Sequence, residues 1–325
     1  VANWLSDIYS SGVAGETAAL SAAILWAAAT LMFGKLGQQL TPLRLNLIKG
    51  LFAVAFILIT LALRSRFDLD QAIELPVRST LYLLISGAVG IGLGDTAYFA
   101  AINAIGARRA LLLETLAPPM TAALAWILLK EQLGVNALAG IVLTLGGIAW
   151  VISERVPGTE KQDSGAGIKI ALLATFCQAA GAVLSRAALA NTAVDPLLSA
   201  LLRLLAGLVL MGVLALLRFQ DVNQGVSKGV NKDADKFLAV ARSTALSTPK
   251  LLAVVAATAF FGTYLAIWLQ QIALKYTAAG IAQSLLATSP LFVLPMAAGL
   301  GDRVSWRAAG GAAIALSGVW LLYMR

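Results

Sequence analysis

Ten stretches of this chain are long, apolar and almost free of charge, and they limit its fold more than any other feature. They fall at about 16–36, 43–63, 80–102, 108–129, 134–153, 167–189, 196–217, 250–273, 279–300 and 306–324. An α-helix rises about 1.5 Å per residue, so about 20 apolar residues cross a hydrocarbon core of ~30 Å. The composition agrees: 59% of residues are apolar and 12% charged, where soluble chains are about a quarter charged. The reading is an all-α, multi-pass protein of the cell (inner) membrane with ten transmembrane helices.

The residue inventory excludes several chemistries. There is no histidine and one cysteine, Cys177. A disulfide within the chain, a His/Cys metal site and a Ser-His-Asp triad are therefore excluded. No G-x-x-x-x-G-K-[ST] loop is present for ATP-driven pumping. The expectation is a protein that is not an enzyme and needs neither cofactor nor metal. The net charge of +8 points to membrane-flanking loops rather than to nucleic acid. Residues 1–15, "VANWLSDIYSSGVAG", lack the basic start and apolar core of a cleavable signal and are expected at the interface.

The chain divides into two similar halves. Residues 16–153 form a first five-segment repeat, 154–166 a polar linker, and 167–325 a second repeat with a long charged loop at 218–249. Within that loop, "DKFLAVARS" predicts an amphipathic turn or two on the membrane surface. "PLRLNLIK" opens segment 2 and "PLLSALLR" opens segment 7. Each puts proline at the helix start and a base, Lys49 or Arg203, about 10 Å deeper. Segments 4–5 and 9–10 match at one constant offset, pairing Pro119 with Pro290, Glu131 with Asp302, Gly140 with Gly311 and Gly147 with Gly318. An odd number of segments per half places the halves in opposite orientations. Inverted repeats with a site between them at the midplane are the architecture of secondary transporters.

Ionisable side chains inside the segments are few: Lys49, Asp95, Glu114 and Arg203. Each costs about 2.5–3.5 kcal/mol at a helix centre, so each faces protein or water. Glu114 can exchange a proton, bind a cationic group, or pair with Lys49 or Arg203. Asp95 can do the same, or cap and pair locally. With no histidine, proton coupling would fall to Asp95 or Glu114. Arg203 can clamp an anion or neutralise these acids. Lys35, Lys130, Arg186, Lys275 and Asp302 lie near segment ends and are expected to snorkel to the headgroups. Pro118, Pro119 and Pro290 interrupt segments 4 and 9 and predict bending elements.

"GD…Y" in segment 3, "GARRALLLETLAPPMTAALAWILLKEQL" through segment 4 and "LGGIAW" closing segment 5 resemble the EamA-type drug/metabolite transporters. The resemblance covers the chain from about residue 16. It implies a ten-helix bundle in which segments 1–4 and 6–9 line a cavity and segments 5 and 10 stand aside. It implies a cavity lined at Trp26, Asn46, Tyr98, Asn103, Gln178, Tyr264, Trp268, Gln271, Gln283, Ser284 and Thr288. It further implies secondary transport, as an exporter, of small polar or amphipathic metabolites such as amino acids, by a monomer in the bilayer. A channel or lipid scramblase is the alternative. The family pattern puts both termini in the cytoplasm, whereas loop Lys and Arg concentrate on the side holding the 1–2, 3–4, 5–6, 7–8 and 9–10 connections, which by the positive-inside rule puts the termini outside.

Overall fold

A computed structural model describes residues 13–36, 42–66, 75–105, 107–153, 165–225, 249–299 and 306–323. Residues 1–12 of the interfacial segment expected at 1–15, most of the linker, "DKFLAVARS" and Asp302 lie outside them. Every described element is helical. The first repeat contains α1 (Ala14–Leu36), α2 (Pro42–Arg66), α3 (Val77–Ser86), a π-helical segment π1 (Gly87–Asp95), α4 (Thr96–Ile105), α5 (Ala107–Glu114), α6 (Ala117–Leu129) and α7 (Val135–Ser153). The second contains α8 (Gly165–Leu189), α9 (Pro196–Gly225), α10 (Pro249–Ala259), the π-helical π2 (Phe260–Leu265), α11 (Ala266–Tyr276), α12 (Ala279–Leu286), α13 (Ser289–Gly299) and α14 (Trp306–Tyr323). Among the described residues, 6 helices are long and apolar enough to cross a membrane. Four shorter apolar stretches, Ala14–Ala29, Val135–Val151, Ala279–Val293 and Ala309–Leu322, occupy the remaining expected positions.

The elements follow from local chemistry. Pro42 and Pro196 open their helices as expected, because a first-turn residue needs no N–H partner. Asp195 caps α9, accepting from the Leu197 and Leu198 amides at 2.7 and 3.1 Å. The same helix runs past its apolar stretch to Gly225, since "RFQDVNQ" holds no breaker. Four glycines in "GAVGIGLGD" loosen π1. Segments 4 and 9 each break in two at mid-length, at Thr115–Leu116 and Ala287–Thr288. The prolines that follow lack N–H groups, which frees carbonyls four residues upstream.

The repeats pack around a local two-fold. In lipid, apolar burial does not drive helices together, so small residues that allow close approach decide the contacts. Along the α7–α14 seam, a methyl group at Gly140 would come within 2.9 Å of the Gly318 carbonyl, and one at Gly147 would collide with the backbone of Gly311 and Ala315. Gly140 corresponds to Gly311 and Gly147 to Gly318. Each therefore meets the counterpart of the other, which is the signature of an isologous contact. Gly318 also faces Thr144 across this seam, whereas Asn136 is exposed, Ile314 is 38% exposed and nothing lies within 4 Å of a methyl group placed at Gly310. Elsewhere α3 and π1 lie on α9, matched by α2 on α10 and π2. Likewise α1 lies on α11 and π2, matched by α8 on α4 and π1. Large apolar side chains such as Leu51, Trp126, Val142 and Trp320 point outward, where a bilayer would surround them.

Candidate functional site

Two adjoining cavities, about 260 and 400 Å³, lie where the broken and π-helical elements of both repeats meet. Trp26, Tyr98, Glu114, Gln178 and Gln270 border both. The smaller chamber gathers the four ionisable residues singled out above, Lys49, Asp95, Glu114 and Arg203, with Asn46, Met211 and Thr263. The larger chamber is mainly apolar, with Leu111, Ile148, Leu286, Pro290 and Val293 around Gln283.

Each polar group is held from a specific element. Asp95 closes π1, and its carboxylate accepts from Gln178 Nε2 at 3.2 Å and from Asn46. Lys49 and Arg203, the matched bases of α2 and α9, both act electrostatically on Asp95. Asn46 also lies 4.0 Å from Met211 Sδ. Glu114, the last residue of α5, is hydrogen-bonded with the Tyr98 hydroxyl. Trp26 donates its indole N–H to the Gly262 carbonyl in π2 at 2.9 Å. Arg203 is 3% exposed and donates from Nη1 to Gln270 Oε1 at 3.3 Å. Its seat exists because α9 approaches π1 closely: a Cβ at Gly87 would strike the Arg203 backbone, and one at Gly207 would strike Ile91.

Tyr264, Trp268, Gln271, Ser284 and Thr288 are not among the residues that border these two cavities. Tyr264 shares a hydrogen bond with Thr60 at 2.9 Å, and its ring packs against Phe56, Phe260 and Trp268. Trp268 belongs to that aromatic cluster, which joins α2 to π2 and α11. Gln271 is fully buried and accepts from Ser199 at 2.9 Å. The cavity is instead bordered by Thr263, Ile267 and Gln270, each one residue earlier. Both sets have the same helical spacing, so periodicity alone does not choose between the two faces. Ser284 and Thr288 turn back onto the Gly280 and Leu285 carbonyls. The Asn103 side chain lies outside the described residues.

Ion pairs link the two repeats at one end of the bundle. Arg186, expected to snorkel, is turned inward: Nε meets Glu131 Oε1 at 2.6 Å, and Nη1 donates to the Leu274 and Lys275 carbonyls at 3.0 and 2.6 Å. Glu131 Oε2 accepts from the Ala279 amide at 2.9 Å. Left-handed Lys130 (φ 58°) ends α6 and delivers Glu131 to this position. Lys275, also expected to snorkel, donates to the Val194 carbonyl at 2.8 Å, and Arg64 pairs with Asp195 at 3.0 Å. Both salt bridges tie the first repeat to the second. Asp302, the sequence counterpart of Glu131, is outside the described residues.

The chain matches the EamA-like transporter family over residues 13–153 and again over 165–324. Among solved structures, 29 chains match. One crystal structure, 16% identical, superimposes with a TM-score of 0.72 over 95% of this chain and 96% of its own, which establishes a shared fold. No curated protein gives a significant sequence match.

Proposed function

The chain belongs to the EamA-like transporter family, and from that membership and the cavity's geometry we propose a secondary active transporter that exports small polar or amphipathic metabolites, such as amino acids, across the cell's inner membrane. The observation that carries this reading is where the charges sit. Lys49, Asp95, Glu114 and Arg203 come from three different elements of the first repeat and one of the second, and all border one chamber between the repeats. Charges that deep are expensive, face the bundle interior or water, and commonly mark a solute path. The two repeats would rock about the chamber, with the proline-broken pairs α5–α6 and α12–α13 bending at Pro118, Pro119 and Pro290. The substrate would contact Trp26, Asn46, Tyr98, Glu114, Gln178, Arg203 and Gln283. If transport is proton-coupled, Asp95 or Glu114 carries the proton, since histidine is absent.

A channel or scramblase is the alternative, and it predicts solute movement that does not saturate. Purified protein in liposomes is expected to move a small metabolite, with the rate changing between two external pH values. Glu114→Gln and Arg203→Ala are expected to abolish transport in protein that still folds. Undiminished transport in both variants overturns this site assignment.

A further inference from the structure

Resting on the transporter reading of the same cavity, we propose that its substrate is a carboxylate with an apolar body: Arg203, backed by Lys49 and Gln270, takes the carboxylate, and the larger chamber takes the body. Arg203 is 3% exposed, yet its Nε–H finds no acceptor among the described residues. Among the described residues its side chain makes one hydrogen bond, to Gln270 Oε1, which is long at 3.3 Å. A buried guanidinium with an idle donor is costly, and the cost is relieved by an oxygen acceptor brought in with the solute.

The position of the fork is fixed beforehand. Gly87 and Gly207 let α9 lie directly on π1, and a methyl group at Gly90 would reach van der Waals contact, 3.5 Å, with Arg203 Nη2. The charges favour an anion at this end. Lys49 and Arg203 together face Asp95, which Asn46 and Gln178 also bind. Glu114 stands on the boundary between chambers, engaged by Tyr98. At the Arg203 end a lone ammonium head would meet two cations and one carboxylate, Asp95, that Lys49, Arg203, Asn46 and Gln178 already engage. Beyond Gln270, Leu111, Ile148, Leu286, Pro290 and Val293 form an apolar continuation, so a short anion leaves most of the space unfilled. An amino group on the solute is not required, though Glu114 could take one.

The test is calorimetric titration of the protein in nanodiscs with four probes: phenylacetate, phenethyl alcohol, phenethylamine and acetate. Phenylacetate is expected to bind saturably, with the other three weaker by about tenfold or more, the alcohol and amine for want of the ionic hydrogen bond and acetate for want of the body. Arg203→Gln is expected to erase the preference of phenylacetate over the alcohol, and Arg203→Lys to retain part of it. If Arg203→Gln does not fold, the ranking of probes on the unaltered protein decides. Alcohol or amine binding as tightly as phenylacetate, or no probe binding, overturns the proposal. Phenylacetate that binds by this ranking but is not transported in liposomes keeps the carboxylate site and removes the transporter reading. Transport of neutral or cationic solutes in preference to carboxylates does the reverse.

Discussion

Replacing Glu131 by Gln should open the end of the bundle where ion pairs link the repeats. The carboxylate joins Arg186 Nε at 2.6 Å and the Ala279 amide at 2.9 Å, and both partners belong to the second repeat. Hydrogen bonds to charged groups contribute about 1.5–3 kcal/mol each. The two side chains are each 16% exposed, which screens the pair partly, and Gln keeps one acceptor oxygen. A loss of about 1.5–3 kcal/mol for the pair is therefore the working figure. It shifts the balance between closed and open ends by roughly ten- to a hundredfold. Thr277 reports that shift, because it is 1% exposed and packs against Gly15 of the other repeat. In a Cys177→Ala background, maleimide labelling of Thr277→Cys should accelerate by that factor when Glu131→Gln is added. An unchanged labelling rate in folded protein would mean that the ion pair does not hold this end shut.

Gly147→Leu should lower the melting temperature of the purified protein, by the equivalent of about 1–3 kcal/mol of overpacking or more, because Gly311 and Ala315 backbone occupy the space. Gly146→Leu, one residue away with nothing within 4 Å, should leave it unchanged. Gln270→Leu should weaken solute binding with little effect on melting. Gln271→Leu should do the opposite, since it strands the buried Ser199 hydroxyl, and binding titrations beside melting curves separate the two. Arg64→Ala should change melting by no more than about 1 kcal/mol, because that pair is 28% and 32% exposed.

The parts of the fold that were legible from sequence depend on composition and on residues with a fixed backbone role. Apolar length marked the segments. Pro42, Pro196, Pro119, Pro290, Gly140, Gly147, Gly311 and Gly318 carried the repeat, because proline and glycine constrain backbone and close packing whatever surrounds them. The depth of Lys49, Asp95, Glu114 and Arg203 was legible because charge in an apolar run is rare. Which face of segment 8 meets the cavity was not legible. The family resemblance selects Tyr264, Trp268 and Gln271, whereas Thr263, Ile267 and Gln270, at the same spacing one residue earlier, border the cavity; helical periodicity fixes the spacing of a face and not its phase. Arg186 and Lys275 looked like snorkelling bases because their acceptors, Glu131 and the carbonyls of residues 194, 274 and 275, lie far away in sequence. Segment ends give no sign of such tertiary partners.

Alternation between the two repeats is tested most directly by counterflow. Liposomes containing the protein are loaded with unlabelled phenylalanine, which has both a carboxylate and an apolar body, and the uptake of labelled phenylalanine is followed. A carrier that turns over around one loaded site predicts saturable uptake that internal solute accelerates above the rate for empty liposomes. Uptake that rises linearly with concentration and is indifferent to internal solute would describe a pore, and would contradict an alternating carrier.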